Sequence, residues 1–212
     1  VIGKAARLVM KKVGILSLQG DFAAHGAAVE RAGAQPVYVR ERPQFEEIDG
    51  LIIPGGESTT MLKLLHYEGL FDDLARFGRR KPMFGTCAGA ILMAKEVSHP
   101  SQESLGLIDI AIERNAYGRQ IDSRVVEIDM EPDFQQHSFL GNPNALSNTK
   151  PSKLEAVFIR APIIRHVNGT VKVLARYEGN AVLIEQGPHL VATFHPELTA
   201  DSRVHKFFLE KL

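Results

Sequence analysis

The first half of the chain repeats one pattern: a short apolar segment, a turn rich in glycine, then a segment with helical spacing. Lys12-Val13-Gly14-Ile15-Leu16-Ser17-Leu18 runs through Gln19-Gly20-Asp21 into a helical pattern over residues 23–32. Strand-like segments at 35–39 and 51–53, helical ones at 58–67 and 70–77, and a further strand at Met83-Phe84 follow. Strands alternating with helices predict parallel βαβ units, hence a three-layer α/β fold with an open, mostly parallel sheet and helices on both faces. Ligands of such sheets bind beyond the carboxyl ends of the strands. Gly55, Gly56 and Cys87 all fall there. The second half is richer in β signals, at 107–112, 125–130, 156–159, 171–177, 181–185 and 190–194, and residues 202–212 close with a helical apolar pattern. The polar tract 135–153, with Asn142-Pro143-Asn144 and Lys150-Pro151, predicts an exposed loop.

Cys87 is the sole cysteine and lies in Phe84-Gly85-Thr86-Cys87-Ala88-Gly89-Ala90. An apolar strand enters, small residues flank the thiol, and a helical run leaves through residue 94. That is the layout of a nucleophile elbow, where a tight strand-to-helix turn leaves no room for large neighbours. Unpaired N–H groups at the helix start favour an anion there. The competing reading is a small buried core cysteine.

The partner for such a thiol lies near the other end, in Ala192-Thr193-Phe194-His195-Pro196-Glu197-Leu198. In extended backbone, residues two apart face the same side, so His195 and Glu197 are expected to face one cleft, with Pro196 stiffening the link. Histidine takes the thiol's proton, and a carboxylate on the other ring nitrogen fixes the tautomer and stabilises imidazolium. Cys87, His195 and Glu197 are therefore the candidate triad. The other histidines, His25, His66, His99, His137, His166, His189 and His205, lack this setting and are assigned to the surface or the core.

Asp49-Gly50-Leu51-Ile52-Ile53-Pro54-Gly55-Gly56-Glu57-Ser58-Thr59-Thr60 predicts a buried strand, a glycine turn and a helix opening near Ser58 with a Ser/Thr cap. Backbone N–H groups of Gly55 and Gly56, with that of Ala88, are the candidate oxyanion donors. Phosphate binding is the rival use of such a loop, but the lysine and glycine spacing of a phosphate loop are missing.

Composition narrows the class further. With 212 residues, 44% hydrophobic and 24% charged, the chain can bury one large core, and residues 12–212 are expected to form a single catalytic domain behind an extension at 1–11. That extension has too little apolar length for a secretory signal, and Met10 is a natural start within it. The formal net charge is zero, so no basic field attracts nucleic acid or an anionic membrane. A lone cysteine excludes an internal disulfide and suits a reducing cytoplasm, and no apolar run approaches the roughly 20 residues needed to span a bilayer.

Five segments together carry a resemblance: Pro54-Gly55-Gly56-Glu57-Ser58-Thr59-Thr60, Gly85-Thr86-Cys87-Ala88-Gly89, Glu113-Arg114-Asn115-Ala116-Tyr117-Gly118-Arg119-Gln120, Phe158-Ile159-Arg160-Ala161-Pro162 and Phe194-His195-Pro196-Glu197-Leu198-Thr199. From about Lys12 to Leu212 the chain resembles the glutaminase-subunit family of pyridoxal 5′-phosphate synthase (PdxT/SNO). The elbow and the His-x-Glu pair are common to class I glutamine amidotransferases, and the other segments narrow the resemblance to this branch. The tract at 135–153 is longer than the family pattern.

The resemblance implies the flavodoxin-like class I glutamine amidotransferase fold and a glutaminase that passes ammonia to a separate, ring-forming synthase subunit in a large heteromeric complex. Pyridoxal 5′-phosphate is then the product of the complex, and this chain needs neither cofactor nor metal. It further implies that Gly56, Glu57, Ser58, Arg114, Ile159 and Arg160 line the glutamine site, with an arginine on the α-carboxylate. Gln19, next to the glycine turn, is expected to couple docking of the synthase subunit to the oxyanion site. A glutaminase of another pathway would keep the triad without the Glu-Arg-Asn and Ile-Arg-Ala-Pro segments. A hydrolase of the PfpI type would place histidine directly after the nucleophile, where this chain has Ala88. A regulatory subunit without turnover would not need the intact triad.

Overall fold

The computed structural model describes residues 10–114, 123–140 and 153–212. In chain order the elements are β1 (Lys12–Leu16), α1 (Phe22–Ala32), β2 (Gln35–Val39), β3 (Gly50–Ile53), α2 (Ser58–Tyr67), α3 (Phe71–Gly78), β4 (Met83–Thr86), α4 (Ala88–Met93), β5 (Ala94–Ser98) and β6 (Ile108–Glu113). They continue with β7 (Arg124–Met130), α5 (Pro132–Leu140), β8 (Lys153–Phe158), β9 (Ile163–Val167), β10 (Lys172–Tyr177), β11 (Asn180–Gln186), β12 (His189–Ala192) and α6 (Arg203–Leu209). Two 3-10 turns, Arg42–Glu47 and Pro196–Leu198, complete the set.

Nine strands form one sheet in the order β2-β1-β3-β4-β12-β11-β10-β7-β8. The pairings from β2 to β12 are parallel and those from β12 to β8 antiparallel. The fold is α/β with a mixed sheet whose parallel half carries the flavodoxin-like order. Strand alternation sorts its side chains to two faces. Val13, Ile15, Ile52, Phe84, Leu190 and Ala192 meet Val29 of α1 and Phe207 and Phe208 of α6. Leu51, Ile53, Met83 and Val191 meet Met61 and Leu65 of α2 and Leu74 and Phe77 of α3. Each large apolar side chain buried this way contributes about 1.5–3 kcal/mol, which fixes the register and with it the positions of the strand ends.

A small second sheet, β5-β6-β9, closes over the α2/α3 side through Ile108, Ile110, Ile112 and Ile164. Two of its strands depart from the sequence expectation. The elbow helix stops at Met93, and Ala94 opens β5; β9 carries no clear alternation because Arg165 and His166 are both exposed. The tract expected to be a loop from 135 to 153 opens inside α5. Pro132 and Asp133 supply the helix start that the polar composition after them disguised, and Phe134 is fully buried, edge-on to Phe207. Lys153 already belongs to β8. Asn142-Pro143-Asn144, Lys150-Pro151, the segment Asn115 to Gln120 and residues 1–9 lie outside the described residues. Among the described residues no helix is long and apolar enough to cross a membrane.

Candidate active site

The elbow is built at the carboxyl end of β4. Cys87 has φ 47° and ψ −100°, a backbone state that costs a non-glycine residue on the order of 1–3 kcal/mol and persists only where the surroundings fix it. They do so here. The Cys87 N–H donates to the Ala192 carbonyl of β12 at 2.9 Å, and Ile91 N–H returns to the Cys87 carbonyl at 3.2 Å. A Cβ on Gly85 would lie 2.6 Å from the Gly89 backbone, and one on Gly89 would lie 2.1 Å from the Ile53 carbonyl oxygen. The small residues flanking the thiol are thus required by contact distances, as the sequence pattern predicts. Every residue of α4 is buried, and the first N–H groups of that helix, Ala88 included, have no intrahelical acceptor.

His195 follows β12, with its N–H bonded to Val157 O of β8 at 2.8 Å. Its Nδ1 lies 2.7 Å from Glu197 Oε1, and both residues are buried. The pairing is as expected, but its backbone is not. Pro196 starts a 3-10 turn, so Glu197 curls back onto the ring instead of sharing a strand face with it. Proline at the first turn position fixes the φ that a turn needs as readily as the φ of a strand. With Nδ1 committed to the carboxylate, Nε2 is the ring nitrogen left for the thiol. Burial draws the His195 pKa down, but Cys87 and Glu197 outweigh it and push it up to about 10. Burial pushes the Glu197 carboxyl up, yet His25 and His195 more than offset this and hold it below the usual carboxylate value. The resting site therefore favours an imidazolium held against the Glu197 carboxylate, a proton donor beside the Cys87 sulfur.

The glycine turn faces this pair, though its residues serve in ways the sequence did not disclose. A Cβ on Gly55 would stand 2.3 Å from His195 Cε1, so Gly55 makes room for the imidazole. Gly56 has φ 147°, and a Cβ there would run into the Gln19 amide. Gln19 brackets the next residue: Glu57 N–H donates to Gln19 Oε1 at 3.3 Å, and Gln19 Nε2–H donates to Glu57 O at 3.4 Å. The cap of α2 is Glu57, not a serine or threonine; its carboxylate accepts from Thr59 N–H at 3.1 Å and Thr60 N–H at 2.7 Å. Those hydrogen bonds outweigh partial burial and lower the Glu57 pKa.

A cleft of about 250 Å³ opens over the sulfur, below the roughly 300–1,000 Å³ of pockets for drug-sized ligands. It brings together Gly56, Glu57, Ser58, Cys87, Arg114, Ile159, Arg160 and His195, all of them anticipated, and adds Asp21, Ile91 and Pro162. Buried Arg114 donates to Thr59 Oγ1 at 2.7 Å and lies 3.4 Å from Glu57 Oε1. Arg160, at φ 44°, is exposed and has no ion-pair partner among the described residues. The Ile159 carbonyl oxygen is 3.9 Å from Cys87 Sγ. Asp21, His195 and Glu197 place possible ligand atoms within 4.8 Å of one another, but His195 and Glu197 are already engaged with each other, so the grouping is explained without an ion.

Sequence reasoning missed what stands behind the triad. His25 of α1 and His205 of α6 are both buried, with His25 Nε2 3.4 Å from Glu197 Oε2. Their only signal was position: each lies four residues before or three before an apolar core residue, Val29 and Phe208, on an inward helix face.

The arrangement of a strained cysteine, a His–Glu pair and a glycine turn at the parallel edge of an α/β sheet is that of a glutamine amidotransferase. A solved glutamine amidotransferase superposes with a TM-score of 0.80 at 40% identity, covering 94% of this chain and 97% of that one. The chain belongs to the SNO glutamine amidotransferase family, whose model matches residues 15–212. Among similar proteins, the pyridoxal 5′-phosphate synthase subunit PdxT of Solibacter usitatus is 68% identical over 96% of this chain and 100% of its own length. The subunit of that name from Koribacter versatilis is 49% identical, over 94% of each.

Proposed function

We infer that this chain is the glutaminase subunit of a pyridoxal 5′-phosphate synthase, hydrolysing L-glutamine to L-glutamate and ammonia and delivering the ammonia to a ring-forming synthase subunit. The observation that carries the chemistry is the buried His195 Nδ1 to Glu197 contact of 2.7 Å beside the strained Cys87. Cys87 sulfur attacks the side-chain amide carbon of glutamine. The tetrahedral oxyanion is met by N–H groups of the Gly55-Gly56 turn and of Ala88. The carbon–nitrogen bond breaks as His195 passes its proton to the departing ammonia, leaving a glutamyl thioester on Cys87. His195, now neutral, takes a proton from water; the hydroxide attacks the thioester carbon, and the carbon–sulfur bond breaks to give glutamate and the restored Cys87–His195 pair. Glu197 orients His195 throughout.

The substrate's α-carboxylate is assigned to Arg160, the lining guanidinium whose fork has no partner among the described residues, while Arg114 braces the α2 start through Thr59 and Glu57. Residues 12–212 act as one catalytic domain, a reading supported by a sheet that joins strands from both ends of the chain. The steps above require neither cofactor nor metal, with pyridoxal 5′-phosphate the product of the complex. The partners are glutamine and the synthase subunit in a heteromeric complex, with no nucleic acid or membrane, and the location is the cytoplasm.

Gln19 links docking to chemistry in this reading, because it grips both polar groups of Glu57 next to the flexible Gly56 peptide. A partner that binds only the competent peptide orientation shifts the population toward it. Glutamate release is measured with the synthase subunit titrated in, for wild type and Gln19→Ala. The expected result is a poorly active free chain, activated on docking by roughly a hundredfold or more, and blunted activation in the variant. A free chain already at the saturated rate contradicts the gating, and normal activation of Gln19→Ala contradicts the role of Gln19.

A further inference from the structure

We propose that His25, itself held by His205, is a positioning residue for Glu197, and that its Nε2–H satisfies the carboxylate oxygen that His195 leaves free. The proposal rests on the triad reading above. Glu197 is fully buried at its side chain, and His195 occupies only Oε1. Among the described residues Oε2 has no hydrogen-bond partner, and His25 Nε2 lies 3.4 Å from it. The same Nε2 lies 3.0 Å from Thr86 Oγ1, and His25 Nδ1 lies 3.2 Å from His205 Nε2. Both imidazoles are buried, so their protons must be placed by their partners.

A carboxylate only accepts, which puts the His25 proton on Nε2, shared between Glu197 Oε2 and Thr86 Oγ1. Nδ1 of His25 is then an acceptor, so His205 donates from Nε2. His205 Nδ1 is left with a lone pair, and it is a buried atom without a partner among the described residues. The opposite tautomers would turn a His25 lone pair toward the carboxylate and strand a buried N–H on His205, and a stranded donor is the rarer defect in proteins. The groups facing the pair are Asp21 at the start of α1, Glu197 and His195 of the 3-10 turn, and Arg31, which faces His205. Burial lowers the pKa of His25 and brings that of His205 down to about 3, so both rings stay neutral near pH 7. A neutral donor stabilises the Glu197 anion without adding a cation that would discourage the imidazolium of His195.

The test compares pH profiles of glutamine hydrolysis by the complex with its synthase subunit, for wild type, His25→Leu, His25→Gln and Glu197→Gln. Glutamine places an amide N–H near the position of Nε2–H, whereas leucine removes the donor. His25→Leu is expected to lower kcat about tenfold with KM within about twofold, and to move the acid limb to higher pH because Glu197 protonates more readily. His25→Gln is expected to recover most of the rate and the limb. An unmoved limb in His25→Leu, or a glutamine variant as slow as the leucine one, overturns the proposal while leaving the triad standing. A Glu197→Gln enzyme at the wild-type rate overturns the triad itself. If His25→Leu does not fold, nitrogen NMR of histidine-labelled wild type decides. Protons on Nε2 of both His25 and His205 are expected, and a proton on Nδ1 of His25 overturns the assignment.

Discussion

The two halves of the nine-stranded sheet have similar local structure and unequal chemical output. From β2 to β12 the strands run parallel, so β1, β3, β4 and β12 end on one edge and deliver Gln19, Gly55-Gly56, Cys87 and His195 to one place. From β12 to β8 each strand reverses its neighbour. Of that half, among the described residues, β8 feeds the cleft through Ile159 and Arg160, while β10 reaches the same edge only to turn back at Glu178-Gly179. Parallel order gathers the carboxyl ends of the strands on one edge, and antiparallel order alternates them between two. A site needing a nucleophile, a base and oxyanion donors from distant parts of the chain is therefore assembled by the parallel half and closed by the other.

Substitutions at the parallel edge should have effects far larger than those elsewhere. His195→Asn is expected to lower kcat by about a hundredfold to ten-thousandfold with little change in glutamine affinity, since the ring acts on protons in transit. Steady-state kinetics alongside glutamine binding separates the two quantities. Glu197→Gln is expected to be milder, about tenfold to a hundredfold, with a characteristic pH signature. The wild-type His195 pKa of about 10 places the alkaline limb near that value, because above it the ring has no proton to give. Losing the anion disfavours imidazolium, so the limb moves to lower pH in the variant; a limb that stays in place contradicts the orienting role of Glu197. By linkage, the raised pKa contributes stability that is fully present below the ordinary value of 6.5 and lost as pH rises through about 10.

The smallest contrast is structural. Gly89→Ala drives a Cβ to 2.1 Å from the Ile53 carbonyl oxygen, and is expected to cost about 1–3 kcal/mol in chemical denaturation. Val125→Thr, on antiparallel β7 at 66% exposure, should stay within about 0.5 kcal/mol. Equal costs would remove the packing basis of the elbow.

The legibility of the sequence follows the same division. Alternating apolar runs closed by glycine located the parallel strands, and local chemistry located Cys87, His195 and Glu197, because strand ends and tight turns leave short contiguous signatures. Backbone detail was less accessible. Pro196 is compatible with a strand or a 3-10 turn, and only the packing against β8 through Val157 O selects the turn. The Glu57 cap was hidden by two better capping residues directly after it. His25 and His205 meet across 180 residues of chain, so no spacing rule could join them to Glu197. The start of α5 was obscured by its polar composition.

In the proposed reaction glutamine is cleaved through an acyl bond to Cys87 at this edge. Rapid quenching of the complex with glutamine, followed by mass spectrometry of the Cys87 peptide, tests it directly. A glutamyl adduct is expected on that peptide alone, formed before glutamate appears, released by hydroxylamine and absent with its activity in Cys87→Ala. An adduct on another residue, or glutamate production by Cys87→Ala at the wild-type rate, would contradict it.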